Sequence, residues 1–389
     1  MKRCCPECFG DRGLQRQVFP FLRAKSGTCD YCGSPNQLLV RPRSLADYFE
    51  PVISVYEPDR RGRPLVQWLR SDWELFHHPR MDDANANALV SDILDDGEIV
   101  RHTFVPARIF ETTRFVTWAH LKGELMHENR FFPKNAIDFD RLEQLLSRLI
   151  VDGHDLPKQW LRARIQTGDH PFDKDGMGAP PKKSASSGRA NPPGIPYLYL
   201  GSTVETAVSE VRPHTGEIAC VASYTIPRNL KIVDLRNPRK TVSPFLLGVE
   251  DAIGQLRADI GFLEELGEEL TRPVLPQVAA IDYIPSQYVC EFIKKCGYHG
   301  VMYRSSVSDG MNLALFEVTL AKIGNIHQHQ VKKVSVQVEA HSTPITKPAQ
   351  KVAKSKSRLK KKQVPLKRAV KKVIRKKSAA PKAKPRNRH

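Results

Sequence analysis

The sequence predicts an α+β protein: a mixed sheet with helices at the C-terminal end, preceded by a mostly helical stretch and a thiol-rich start. Three observations carry this. Two Cys-x2-Cys pairs fall within the first 32 residues, apolar stripes at helical spacing run through the middle, and short apolar strands alternate with helical stripes after Pro196. With 389 residues, 40% hydrophobic and 26% charged, the chain has apolar side chain for a sizeable core and length for two or three units of ordinary size.

The start, residues 1–43, holds Cys5-Pro6-Glu7-Cys8 and, twenty residues on, Cys29-Asp30-Tyr31-Cys32. Two such pairs close a tetrahedral thiolate shell around zinc, each pair supplying two sulfurs from a tight turn. Gly33 suits that turn because it accepts the left-handed conformation. Cys4 is adjacent to Cys5 and spacing alone does not choose between them. Four protein ligands leave no position for water, so the expected zinc is structural. Residues 1–43 read as a zinc-ribbon-like segment.

Residues 44–166 read as a mostly helical domain with tryptophans at 68, 73, 118 and 160. Its clearest element is a stripe of Phe139, Leu142, Leu145, Leu146, Leu149 and Ile150, stopped at Asp152-Gly153. Arg70 and His77 have the loose spacing of a helical ribonuclease pair; the plainer reading is two surface side chains on a helix.

Residues 167–196 are dense in Gly, Pro and Ser and mark the entry to a new unit, expected over 167–322. Tyr197 to Leu200 reads as a strand. Thr203 caps a helix with Val204, Ala207, Val208 and Val211 inward. Ile218–Ile226 and Leu230–Leu235 read as strands. A helix follows Ser286 with Val289, Phe292, Ile293 and Cys296 inward and Gly297 as its stop. Gly300–Tyr303 and Asn312–Val318 close the unit as strands, the second apolar enough to be central.

The net charge of +19 has one source. His341 to His389 carry 19 Lys/Arg and no acid, leaving 42 basic and 42 acidic residues in 1–340. Residues 323–389 therefore read as a disordered basic tail able to bind nucleic acid without sequence preference. No run of 18 apolar residues is present and no apolar segment follows Met1-Lys2-Arg3, so neither a membrane partner nor export is expected, and the expected location is cytoplasmic.

P-loop, dinucleotide-fold, nucleophile-elbow and H-E-x-x-H signatures are missing. The chemistry-bearing residues sit at element ends of the last unit. Arg189 lies in Gly188-Arg-Ala-Asn-Pro-Pro-Gly194, a loop stiffened by two prolines, where a guanidinium can hold a phosphate bidentately. Tyr199 offers a ring for stacking on a flat ligand. Glu210 stands at the edge of a helical stripe, where a carboxylate can bond a ribose and stabilise a cationic sugar. Ser305 and Ser306 follow a strand and precede a Gly-containing loop.

These residues and their surroundings resemble the RES domain family. The resemblance runs through Met177-Gly178-Ala179-Pro180-Pro181, the Gly188–Gly194 loop, Leu198-Tyr199-Leu200 and Thr206-Ala-Val-Ser-Glu-Val-Arg-Pro213. It continues in Val233-Asp234-Leu235, Asp282-Tyr-Ile-Pro-Ser-Gln287, Gly300-Val-Met-Tyr-Arg-Ser-Ser306 and Asn312-Leu-Ala-Leu-Phe316. The cysteine-rich start with its helical stretch is similar to the N-terminal extension of a subgroup of RES proteins. The resemblance implies an ADP-ribosyltransferase-like fold and attack on NAD+ at the nicotinamide–ribose bond, as a glycohydrolase, phosphorylase or ADP-ribosyltransferase. It also implies a toxin role with an antitoxin or inhibitor protein as partner. By position, Arg189 would hold the pyrophosphate and Tyr199 would frame the nicotinamide end. Glu210 would stabilise the oxocarbenium-like sugar, and Ser305, or Ser306 in its place, would bond the carboxamide or ribose. The competing reading is a nucleic-acid-associated binding protein that uses the zinc segment and tail, its RES-like part only sensing nucleotide.

Overall fold

The structure is a computed structural model that describes residues 2–111, 118–134, 137–151, 153–336 and 338; the basic run 341–389 lies outside the described residues. The thiol-rich start is a set of short helical turns and a hairpin of β1 (Lys25–Gly27) and β2 (Gln37–Leu39). Then come α1 (Ala46–Ile53), β3 (Tyr56–Pro64), α2 (Leu65–Trp73), α3 (Asp83–Leu94), β4 (Thr103–Pro106), α4 (Arg108–Glu111), α5 (Trp118–His127) and α6 (Phe139–Ser147). β5 (Ile150–Val151), β6 (Trp160–Ile165), β7 (Leu198–Gly201), α7 (Val204–Glu210), β8 (Ile218–Thr225) and β9 (Ile232–Asp234) follow. The chain continues through α8 (Pro238–Thr241), α9 (Glu250–Thr271), α10 (Ala279–Asp282), α11 (Ile284–Lys295), β10 (Gly300–Arg304), β11 (Met311–Leu315) and β12 (Lys322–Gln330).

Among the described residues, eight of these strands form one sheet in the order β12-β8-β6-β7-β11-β10-β9-β5. It is mixed: β9 and β10 run parallel and the other pairs are antiparallel. The α+β class read from the sequence is therefore the class of the fold. β11 is an interior strand, paired to β7 on one side and β10 on the other, which accounts for its apolar run.

The local signals fixed several elements as expected. Thr203 accepts the backbone N–H of Thr206 at 3.1 Å and so caps α7. Val289, Phe292 and Ile293 are buried on α11, and Gly297 ends it in a left-handed turn (φ 81°).

Other expectations are corrected. α6 stops at Ser147, and Ile150 is not its last turn but the start of β5, which pairs with Val233 of β9. The sheet also outgrows the expected span 167–322. β6 enters from its N-terminal side and sits between β8 and β7, and β12 extends it past Lys322, so residues 323–330 are an edge strand rather than tail. The expected units are not separate bodies in their packing. Residues 1–335 form one compact unit, and one cluster of buried side chains runs from Cys4 and Phe9 through Phe49 and Leu89 to Leu263, Ile293 and Phe316. Phe49 of α1 meets Phe245 with ring centroids 4.7 Å apart. Arg239 bridges the halves, donating to Glu264 and to the carbonyls of Ser71 and Asp72.

The organiser of that core is α9. Ile253, Leu256, Ile260, Leu263 and Leu270 are at most 2% exposed, and Asp259 within it is fully buried against Arg141. A buried carboxylate is stable only when paired in this way.

Candidate active site

A cavity of about 480 Å³ opens on the sheet face that carries Tyr199, Tyr303 and Ala314. It is lined by the Ser187–Arg189 loop, the end of α7, the segment Val274–Tyr283, and Ser306, Val307 and Asn312. Its size falls within the ordinary range of small-molecule sites.

The Arg189 loop is held from within. Asn191 donates to the carbonyls of Ser186, Pro192 and Ile195, each at 3.0 Å. Gln287 of α11 donates to the Gly188 and Asn191 carbonyls at 2.8 and 3.0 Å. Ser286 donates to the Arg189 carbonyl at 2.5 Å. Tyr199 donates to Oδ1 of Asn191 at 2.7 Å and accepts from the Ala190 N–H at 3.0 Å. A Cβ on Gly188 would stand 2.4 Å from Oδ1 of Asn191 and 2.6 Å from the Tyr199 hydroxyl, so only glycine fits there. The hydroxyl of Tyr199 thus anchors the loop, while its half-buried ring lines the cavity. Burial pushes that phenol up, which keeps it protonated and able to donate.

The Arg189 guanidinium donates through Nη1 to the Arg272 carbonyl at 2.6 Å and through Nη2 to Oγ of Ser306 at 3.0 Å. Its carbon lies 5.7 Å from the ring centroid of Tyr283. Arg272 in turn bonds Glu269 and Asp282, pinning both ends of the segment that covers the cavity.

Glu210 is the last residue of α7. A helix C-terminus is unfavourable for a carboxylate by roughly 0.3–1 kcal/mol. Two donors offset this: Ser305 Oγ at 2.7 Å and Asn312 Nδ2 at 2.6 Å, both to Oε1. Among the described residues no hydrogen bond is recorded to Oε2. A local rule broken and then compensated in this way is characteristic of a working site.

The structure therefore brings together the residues singled out in the sequence and divides the two serines. Ser305, 9% exposed, is turned to Glu210, and Ser306 to Arg189. Sequence reasoning missed Asn312, which the motif contained without a role. Its signal was a polar residue opening an otherwise apolar interior strand. Arg212 was also passed over. It lines the cavity just past α7, in the left-handed conformation (φ 50°) of a helix C-terminal cap. Arg70 and His77 are not a catalytic pair on one helix. α2 ends at Trp73, Arg70 is engaged by Asp83 and the Met81 carbonyl, and His77 is exposed beyond the helix.

Remote from the cavity, the Sγ atoms of Cys5, Cys8, Cys29 and Cys32 all lie within 4.8 Å of one another, and all four residues are buried. The Cys5–Cys8, Cys5–Cys32 and Cys8–Cys29 separations are 3.9, 3.4 and 3.3 Å. Tetrahedral Zn–S bonds of about 2.3 Å place sulfurs about 3.8 Å apart, so the four thiols fit a structural zinc. Cys4 is outside the set and bonds the Val40 carbonyl instead, which resolves the choice in favour of Cys5. Gly33 has φ 71°, as the second turn requires.

A family model described as the RES domain matches residues 160–338, and the N-terminal part, which shares the same core, lies outside that match. Among solved structures, the M. tuberculosis MbcT–MbcA toxin–antitoxin complex is similar at 14% identity and a TM-score of 0.29, over 49% of this chain and 92% of that one. No curated protein matches.

Proposed function

We propose that this protein consumes NAD+ by cleaving the bond between nicotinamide and ribose, as a glycohydrolase, phosphorylase or ADP-ribosyltransferase. The observation that carries this is Glu210, whose Oε1 is fixed by Ser305 and Asn312 beside a cavity that also presents Arg189. The RES domain supports the choice of NAD+.

In this reading Arg189, with donors beyond the two engaged by Arg272 and Ser306, holds the pyrophosphate. The Tyr199 ring packs against the nicotinamide end. The C1′–N bond breaks with its electron pair moving onto the nicotinamide nitrogen, which becomes neutral. Positive charge then develops on C1′ and the ring oxygen of the ribose. Oε2 of Glu210 would offer the negative group for that charge, preorganised by the bonds to Oε1. A nucleophile then adds at C1′: water, phosphate or a protein side chain. Zinc has no part in this step. A role as a toxin, restrained by an inhibitor protein, follows from the same activity.

The test is nicotinamide release from NAD+, followed by NMR with and without phosphate. Glu210→Gln and Arg189→Ala are each expected to lower turnover by about 10²–10³-fold. The sugar product identifies water or phosphate as acceptor. Turnover equal to the unmodified protein in both variants would overturn the proposal.

A further inference from the structure

Among the described residues the large sheet ends on one side at the two-residue β5 and on the other at the nine-residue β12, which is paired to β8 along one side only. The bonds near its end show which backbone groups are left over. Val331 donates its N–H to the Glu217 carbonyl at 2.9 Å, and its carbonyl accepts the Gly216 N–H at 2.8 Å. Asn325 donates its N–H to Ser223 Oγ at 3.0 Å, and its carbonyl accepts from the same hydroxyl at 3.3 Å. Both residues therefore turn their backbone toward β8. Backbone groups alternate sides along a strand, so His327 and His329, inside the unbroken register Ile326–Gln330, point the same way. The N–H and C=O groups of Ile326, Gln328 and Gln330 point outward, where no described strand meets them.

This edge has little of the usual protection, which is charge, proline or short length. From Ile323 to Val331 the sequence is Ile-Gly-Asn-Ile-His-Gln-His-Gln-Val, without Lys, Arg, Asp, Glu or Pro. Its one irregularity, between Ile323 and Ile326, lies before the regular stretch. Asn325, His327, Gln328 and Gln330 are exposed. The stretch is also symmetrical about Gln328, with His327 and His329 on either side.

We propose that β12 pairs antiparallel with β12 of a second copy of this chain, across a two-fold axis at Gln328. Self-complementarity selects the partner. In that register Gln328 faces its own copy, His327 faces His329, and Ile326 faces Gln330. The outward groups of Ile326, Gln328 and Gln330 then meet as hydrogen-bonded pairs. No Lys, Arg, Asp or Glu is set against a like charge, and the two Gln328 amides, each both donor and acceptor, stand opposite one another. A two-fold contact uses the same patch on both copies and closes at two. The inference concerns assembly, so it stands or falls apart from the NAD+ reading.

Sedimentation velocity of the full chain across a dilution series decides it, in about 0.15 M salt so that distant charges are screened. The unmodified protein is expected to pass from one chain to two as concentration rises. Gln328→Pro removes an outward N–H that β8 does not use, and is expected to abolish the dimer. Gln328→Lys and Gln328→Glu each set like charges face to face at the axis, and each is expected to raise the dimer dissociation constant by about fivefold. Their equimolar mixture is expected to restore association. Gln328 is exposed and its side chain bonds Gln166 at 2.7 Å, so the folds are expected to hold, with circular dichroism as the check. A single chain at every concentration, or a dimer that none of the variants weakens, would overturn the proposal. Opposite shifts in the Lys and Glu variants would overturn it too, since they would report net charge rather than pairing at the axis.

Discussion

Asn312 Nδ2 lies 2.6 Å from Glu210 Oε1, the shortest of the two bonds that orient this carboxylate. The contact depends on sheet register: Asn312 stands across from Gly201 on β7 and Tyr303 on β10, and is 5% exposed. Removing its donor leaves Ser305 alone to hold the carboxylate.

Asn312→Ala is expected to lower kcat for nicotinamide release by about 10- to 100-fold with little change in KM, because a hydrogen bond to a charged group contributes about 1.5–3 kcal/mol. Asn312→Asp is expected to be worse, since it sets a second carboxylate beside Glu210. Steady-state kinetics of the two variants, with circular dichroism to confirm folding, check this.

The adjacent serines are expected to fail differently. Ser305→Ala removes a donor from Glu210 and acts on kcat. Ser306→Ala frees Nη2 of Arg189 and acts mainly on KM for NAD+. Equal kinetic signatures from the two variants would contradict the division of contacts.

How much of this could be read in advance differs by element. The cap at Thr203 and the stop at Gly297 are local, set by residues within one turn, and the sequence carried them. α9 was also legible: Ile253, Leu256, Ile260, Leu263 and Leu270 repeat at helical spacing, a stripe that the reading passed over. β6 was not. Trp160, Arg162 and Arg164 alternate with Leu161, Ala163 and Ile165, and two arginines in a strand that lies between neighbours mask its position. The polar run of β12 hid its pairing in the same way. Arg189, Tyr199, Glu210 and both serines were visible as residue types at element ends. Asn312 was not, because its role comes from pairing across the sheet.

The thiol cluster makes a prediction about stability. Elemental analysis is expected to find one zinc per chain, lost in Cys29→Ser. Because the cluster is packed into the common core, metal loss should be felt throughout residues 1–335. A loss of about 3–5 kcal/mol would lower the thermal midpoint by roughly 10 °C. Scanning calorimetry with and without a strong chelator reads this directly.

A pH dependence follows from Asp155, which accepts from Arg16 at 2.5 and 2.8 Å and also pairs with Arg12. The Arg16 hydrogen bonds, with the charges of both arginines, hold its carboxyl below the ordinary value. The folded carboxyl therefore gives up its proton more readily than the unfolded one, whose pKa is about 3.9. The pairs add stability at neutral pH, and that addition fades as pH falls through the depressed value. The thermal midpoint of Asp155→Asn is expected to lie below that of the unmodified protein at pH 7, with the two converging below about pH 4.

The place of β6 has a practical consequence for anyone who cuts this chain. Composition marks an entry near residue 167, yet a fragment starting there would lack the plank between β8 and β7. β8 would then show a bare row of backbone N–H and C=O groups where Trp160–Ile165 belong, and β7 would lose its pairing at Gly201. Such raw edges recruit strands from other molecules. Fragments that begin beyond Ile165 should accordingly self-associate, and their loss of activity would report a torn sheet rather than a missing catalytic group.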